Sequence, residues 1–283
     1  MGEILFERAV RVTVGNSDGA TALQATGLRV RFHVKRTLRF EPSTAEIEIF
    51  NVSRAHRERM KARWAPVIVE AGYGTALGRV FSGQARTIDH VRDQTDWITK
   101  IQCGDGEAAF RYAMVTDSWG PGTSTLQVAK ALAASLGSLT AESEASLQGA
   151  LTDEFARGYA ARGSAARELD RLLSARGLEW SVQDGKVQVL PLGKPTQRRA
   201  VLLTPKTGLV GSPEHGTPSP QFATDHSHTL RMRSLLQPTL VPGGLVQLQS
   251  QAATGLFRVL SVEHSGDTQG GDWYSSVEAN PTS

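Results

Sequence analysis

Over residues 28–35, LRVRFHVK, apolar and basic positions alternate without a break. Leu28, Val30, Phe32 and Val34 fall on one face, and Arg29, Arg31, His33 and Lys35 on the other. A strand points successive side chains to opposite faces, so a period of two predicts a half-buried antiparallel strand. The same alternation gathers Ile47 and Ile49 of AEIEIF. It also gathers Val67, Val69, Ala71 and Tyr73 of PVIVEAGY, and Trp97, Thr99, Ile101 and Cys103 of WITKIQC. One helix interrupts these strands. NVSRAHRERMKARW has Ser53 as N-cap and stops before Pro66. Arg54, His56, Arg57, Arg59, Lys61 and Arg63 make it strongly basic. It reads as a solvated face, with a patch for an acidic partner as the alternative. No aromatics interleave the charges, so the signature of single-strand nucleic-acid binding is missing.

The period changes over residues 117–196. GTSTLQVAKALAASLG is a helix with Thr123 or Ser124 at its start and Gly137 just past its end. Leu126, Ala129, Leu132, Ala133 and Leu136 form its apolar stripe. SAARELDRLLSARG repeats the device from Ser164 to Gly177. LEWSVQDGKVQVLP then reads as a hairpin turning at Asp184-Gly185. After the linker PLGKPTQRR the strands return as AVLLT, TLRMRSLL, GLVQLQS, LFRVLSVEH and WYSSVEA. GSPEHGTPSPQFATDHSH is a long polar loop among them.

The two strand-rich regions share an order. Each runs from an alternating strand through a Gly-containing turn to a strand bearing Phe81 or Phe257. Each then reaches His90 or His264, an Asp-rich turn, and Trp97 or Trp273 at the head of a last strand. The fold class expected is mainly β with an α+β insert: two related small β-barrels around a module of two helices and a hairpin. The domain ranges are 1–116, 117–196 and 197–283.

Composition narrows the function. The 31 basic and 28 acidic residues leave a formal charge of +3, too little to argue for nucleic-acid binding on net charge. Cys103 is the only cysteine, so no intrachain disulfide holds the fold, which fits folding in a reducing compartment. The opening MGEILFERAV lacks a signal-peptide core. Phe6 stands where a myristoylation signal starting at Gly2 wants Ser or Thr. No run reaches the ~18 apolar residues of a membrane helix. Synthesis in the cytoplasm without a membrane anchor is the expectation.

Candidate chemistry is sparse. In HSGDTQGGDW, His264, Asp267 and Asp272 could ligate a metal, but their spacing matches no EF-hand or zinc pattern, and Asp and Gly there suit a turn. The DHSH run, Asp225, His226 and His228, with His215 or His264 as a third ligand, is the strongest enzyme candidate. It would make a metal-dependent hydrolase near residues 225–228. It lies in a polar loop, and a solvated loop is the preferred reading. No nucleophile elbow, Walker loop or dinucleotide turn is present, and Cys103 reads as core. The expectation is no enzyme, no catalytic, cofactor or metal site, and no cofactor.

The runs LLTPKTGLVGSPE, MRSLLQPTLVPGGLVQLQS and FRVLSVEHSGDTQGGDWYSSVEA resemble the hub proteins of phage tail baseplates. So do IEIFNVSRAHRERM, VIVEAGYG, VFSGQARTI and DWITKIQCGDGEAAFR. That family is related in architecture to the N-terminal part of type VI secretion spike proteins, and the resemblance spans residues 28–280. It implies a structural virion protein: a homotrimer whose six barrels form a pseudo-sixfold ring between the tail tube and a trimeric spike. It implies as partners the tail tube or distal tail protein, the tail spike, other baseplate proteins and the tape measure protein. DNA would pass through the channel without sequence-specific binding. A hub of a secretion or injection machine is the alternative setting.

Overall fold

A computed structural model describes residues 6–15, 21–39, 41–60, 64–216 and 229–282. A first strand set comprises β1 (Arg8–Gly15), β2 (Thr21–Ala25), β3 (Val30–Thr37), β4 (Thr44–Phe50), β5 (Pro66–Tyr73), β6 (Ala76–Asp93) and β7 (Asp96–Gly104). The short helix α1 (Arg54–Arg59) follows β4, and α2 (Glu107–Tyr112) follows β7. Then come β8 (Met114–Trp119), β9 (Thr123–Ser124), α3 (Thr125–Ala134), β10 (Ser138–Leu139), α4 (Ala141–Ala150), β11 (Glu154–Phe155), β12 (Tyr159–Ser164), α5 (Ala165–Ser174), β13 (Leu178–Gln183) and β14 (Lys186–Pro191). A second strand set closes the chain: β15 (Val201–Leu203), β16 (Leu209–Gly216), β17 (Thr229–Leu235), β18 (Leu245–Gln249), β19 (Thr254–Asp267) and β20 (Trp273–Pro281).

The protein is mainly β, as its alternation predicts. Among the described residues, however, strand pairing closes neither set into a separate barrel. One thirteen-stranded sheet runs through both, in the order β16-β17-β20-β19-β3-β4-β7-β6-β5-β1-β2, with β18 and β15 branching from β19. The long strand β19 makes this possible. Its first half pairs with β18, and residues 261–267 pair with β3. Three apolar clusters are buried: one under the first strand set, one among the helices, one under the second set. Trp273 of β20 belongs to the first cluster, not the third. No helix among the described residues is long and apolar enough to cross a membrane.

The two strand sets share a pairing register. His90 stands opposite Thr99, and His264 opposite Ser275. In both pairs the His Nδ1 meets the hydroxyl, at 3.1 and 2.8 Å. Trp97 then faces Arg92, and Trp273 faces Gly266. Even the bulges coincide, between Ala85 and Thr87 and between Val259 and Ser261. At each bulge the backbone bonds twice to the residues ahead of the preceding strand. Ala85 bonds with Trp64 and Ala65, and Val259 with Gly243 and Gly244. Trp64 and Gly243 both have positive φ, 65° and 79°. Glycine adopts that conformation freely and tryptophan does not, so its surroundings must hold Trp64 there, including the edge-to-face contact with Tyr112 at 5.9 Å.

The register corrects one match. Phe81 lies opposite Val69, and Gly255 opposite Leu248, so Phe81 corresponds to Gly255 and Phe257 to Gly83. A Cβ on Gly83 would stand 2.6 Å from the Phe81 ring, and one on Gly255 3.4 Å from the Phe257 ring. Each ring folds over a glycine two residues along the same face, so a phenyl group fills the space from either position.

Residues 117–196 hold one helix more than the pattern predicts, and α2 just ahead of them is also unpredicted. α4 has Thr140 as N-cap but buries only Ser143 and Leu147, too narrow an apolar stripe for periodicity to reveal. The hairpin β13–β14 turns at Asp184 and Gly185, with φ of 55° and 76°, as an Asp-Gly turn requires. The basic helix is shorter than predicted, Arg54–Arg59, capped by Ser53 and with no buried residue; Lys61 and Arg63 lie outside the described residues.

Candidate functional site

An organised polar surface covers the outer face of the sheet. Phe32, Ile47 and Ile101 point into the core, so their neighbours in β3, β4 and β7 point away. Asp267, Arg31, Glu48, Lys100 and Asp89 then stand in one row across β19, β3, β4, β7 and β6. Their signs alternate. Arg31 lies 3.4 Å from Asp267 and 3.0 Å from Glu48, and Lys100 lies 3.6 Å from Glu48. Lys35 pairs with Glu263 at 3.5 Å four residues along the strands. Glu214, Arg231 and Glu278 form a further alternating row on β16, β17 and β20. Cross-strand pairs of opposite charge contribute about 0.2–1 kcal/mol each, and exposed ones lie at the low end. The larger effect is on the field: each cation is answered by an anion one strand away.

The candidate ligands separate. His264 points into the core, and burial, aided by Arg36, lowers its pKa to about 3, so the ring is neutral. Asp267 faces the opposite side of β19. There it accepts from Arg29 at 2.9 Å, and that bond holds its carboxyl below the usual range. Asp272 reaches Arg233 at 3.3 Å. The Asp-Gly stretch is therefore a turn whose first carboxylate also clamps β3. His215 sits exposed on β16. Asp225, His226 and His228 lie outside the described residues. Among the described residues, no three His, Cys, Asp or Glu side chains converge as a metal site. Cys103 is buried, which raises its thiol pKa to about 12. Trp97 lies 36% exposed, with the Arg57 guanidinium stacked 3.8 Å from its ring centroid.

Sequence reasoning did not single out the groups that hold the β13–β14 hairpin against the sheet. Arg36, almost fully buried on β3, donates to Gln183 at 3.1 Å and to Asp184 at 3.0 Å. Arg258 of β19 pairs with Glu179 of β13. Asp105, just beyond β7, accepts from the Asp184 and Gly185 amides at 2.6 and 2.7 Å. The hairpin is thus pinned across the line where β3 meets β19. Burial outweighs these bonds at Asp105 and raises its pKa to about 6. The folded state then holds a proton more tightly than the unfolded chain between pH ~4 and ~6. Asp105 therefore adds stability as pH falls through that window, and loses it as pH rises through 6. The stability difference between wild type and Asp105→Asn should shift by about 2 kcal/mol in favour of wild type between pH 7 and 4.5. Urea unfolding of both at the two pH values measures it, and an unchanged difference refutes the assignment.

No protein-family model matches the chain, and no curated protein sequence matches it. Solved structures do. The 43 kDa tail protein of prophage MuSo2 from Shewanella oneidensis superposes with a TM-score of 0.66 at 11% identity, over 97% of both chains. A tail protein from Neisseria meningitidis MC58 gives 0.65 at 11% identity, again over 97% of both. The E. coli c3393 protein gives 0.63 at 12% identity, over 90% of this chain and 74% of that one. It is described as a component of the type VI secretion system with structural similarity to the T4 tail proteins gp27 and gp5. The fold is that of phage tail proteins. The same fold is shared with the type VI secretion component.

Proposed function

We propose that the protein is a structural baseplate hub of a phage tail or tail-like particle, a homotrimer joining the tail tube to a trimeric spike. The observation that carries this reading is the repeat in strand pairing, bulge included. Two equivalent units per chain give six positions from three chains. Such a ring can meet a sixfold tube on one side and a threefold spike on the other. On this reading the chain divides at 1–116, 117–196 and 197–283, with the sheet curling barrel-like around the first and third cores. The tail tube or distal tail protein, the spike, other baseplate proteins and the tape measure protein are its partners.

The polar sheet face lines the channel. Phosphate backbones bind to runs of uncompensated Lys and Arg. A face on which Arg31 and Lys100 each sit beside Glu48 offers no such run. DNA or another payload passes over it without sequence-specific binding. On this reading the protein acts in the virion after synthesis in the host cytoplasm, without a catalytic centre, cofactor or metal. The likeness to the E. coli secretion component supports a second setting for the same geometry, the hub of a secretion machine. A threefold-averaged density map of the particle tests both settings. Three copies around a central passage are expected; a single copy, or six whole chains in one ring, overturns the reading.

A further inference from the structure

The joint between the two strand sets has a counterpart that the chain leaves open. Seven residue pairs join β19 to β3, from Ser261 opposite Thr37 to Asp267 opposite Arg31. In the repeat, β6 corresponds to β19 and β16 to β3. Yet among the described residues, residues 87–93 of β6 pair only with β7, and β16 pairs only with β17. We propose that these two edges pair with each other between copies, β6 of one chain against β16 of a second. The proposal rests on the trimer reading and names the surfaces that close it.

The register follows from the internal joint. Glu263 opposite Lys35, His264 opposite Val34 and Ser265 opposite His33 translate, position by position, to the new joint. Asp89 faces Gly216 of the second copy, His90 faces His215, and Val91 faces Glu214. Charge agrees with this register. The internal joint carries the Lys35–Glu263 ion pair. At the new joint Asp89 replaces Glu263, and glycine replaces the lysine. The missing cation is supplied by Arg231, whose side chain lies over Gly216, its Nε 3.7 Å from where a Cβ would stand. Apolar exposure agrees too. Val91 is 45% and Trp97 36% exposed beside this edge, whereas Trp273, at the position of Trp97, is 2% exposed because its joint is made. Unpaired edges bearing exposed apolar groups are where a sheet takes up another strand.

Cysteine pairs in the full-length protein test this. The Ser265→Cys, His33→Cys pair sits across the internal joint and should oxidise within one chain. Val91→Cys with Glu214→Cys should oxidise between chains, giving dimers and trimers on a non-reducing gel and nothing longer. Val91→Cys with His215→Cys, which points to the other face, should give at least several-fold less. All these sites but His215 lie on the polar face, and none is fully buried, so the variants keep the core. If the internal pair forms while Val91 and Glu214 never link chains, the proposed pairing is wrong. A native mass of three chains in that case leaves the trimer standing on other contacts. Links that continue past three chains support the edge pairing and overturn the closed trimer.

Discussion

Replacing Trp273 with alanine should lower the unfolding free energy of the isolated chain by about 3–5 kcal/mol, the cost of emptying a large buried aromatic site. Replacing Trp97, its counterpart in the repeat, should cost about 1 kcal/mol or less, the scale of an exposed cation–π contact. The two residues occupy one position in the same hairpin, so local sequence does not separate them. Neighbours do. Trp273 meets Phe32 edge to face, with ring centroids 5.7 Å apart, inside the first core. Gly266 opposite it has no side chain to intrude; a Cβ there would lie 2.5 Å from Phe32 and 2.8 Å from Trp273. Trp97 has Arg92 opposite and only Arg57 over its ring. Urea denaturation of both variants checks the contrast. Equal costs would mean that the edge beside Trp97 is covered in the isolated chain.

Arg36→Met should cost a comparable amount, about 3–5 kcal/mol, because it strips the partner from groups that fold with it out of water. Arg36 is held on both sides. It bonds Gln183 and Asp184 of the hairpin and reaches the Val80 carbonyl of the sheet at 3.4 Å. Gln183 in turn donates to the Thr37 carbonyl at 2.7 Å. Methionine fills most of the volume and answers none of these acceptors. The double variant Arg36→Met, Asp184→Asn should regain part of the loss, since no unpaired carboxylate is left behind; asparagine also tolerates the positive φ of residue 184. Hydrogen exchange should rise first over residues 178–191, where the hairpin lets go of the sheet. Uniform loss of protection would show that Arg36 supports the sheet alone.

Much of the sheet was legible because alternation is a local signal. LRVRFHVK puts Val30, Phe32 and Val34 inside and WITKIQC puts Ile101 and Cys103 inside, with Trp97 left exposed, and the Asp-Gly turn at 184–185 has the predicted backbone. The shared order of His, Asp-rich turn and Trp proved to be a shared register. Helix α4 escaped notice because its buried face amounts to two residues. The single sheet escaped for a different reason. Whether β19 turns to β3 or to a strand of its own set depends on a partner more than 220 residues away, and no spacing encodes it. Long separations also hid the roles of Asp267 and Arg36, whose partners lie 238 and 147 residues away. Each looks like an ordinary turn or surface charge until the chain brings its partner alongside.

The placement of Trp273 also sets an order of events during synthesis. The first strand set leaves the ribosome with β3 unpaired on one side and the hollow beside Phe32 empty. More than a hundred further residues must be made before β19 and Trp273 arrive. At ~5–20 residues per second the nascent sheet waits several seconds or longer with that edge bare. During this interval β3 on one ribosome can find β19 of a finished neighbour, so crowded translation of one message is the moment at which this fold is most exposed to exchanging strands between chains.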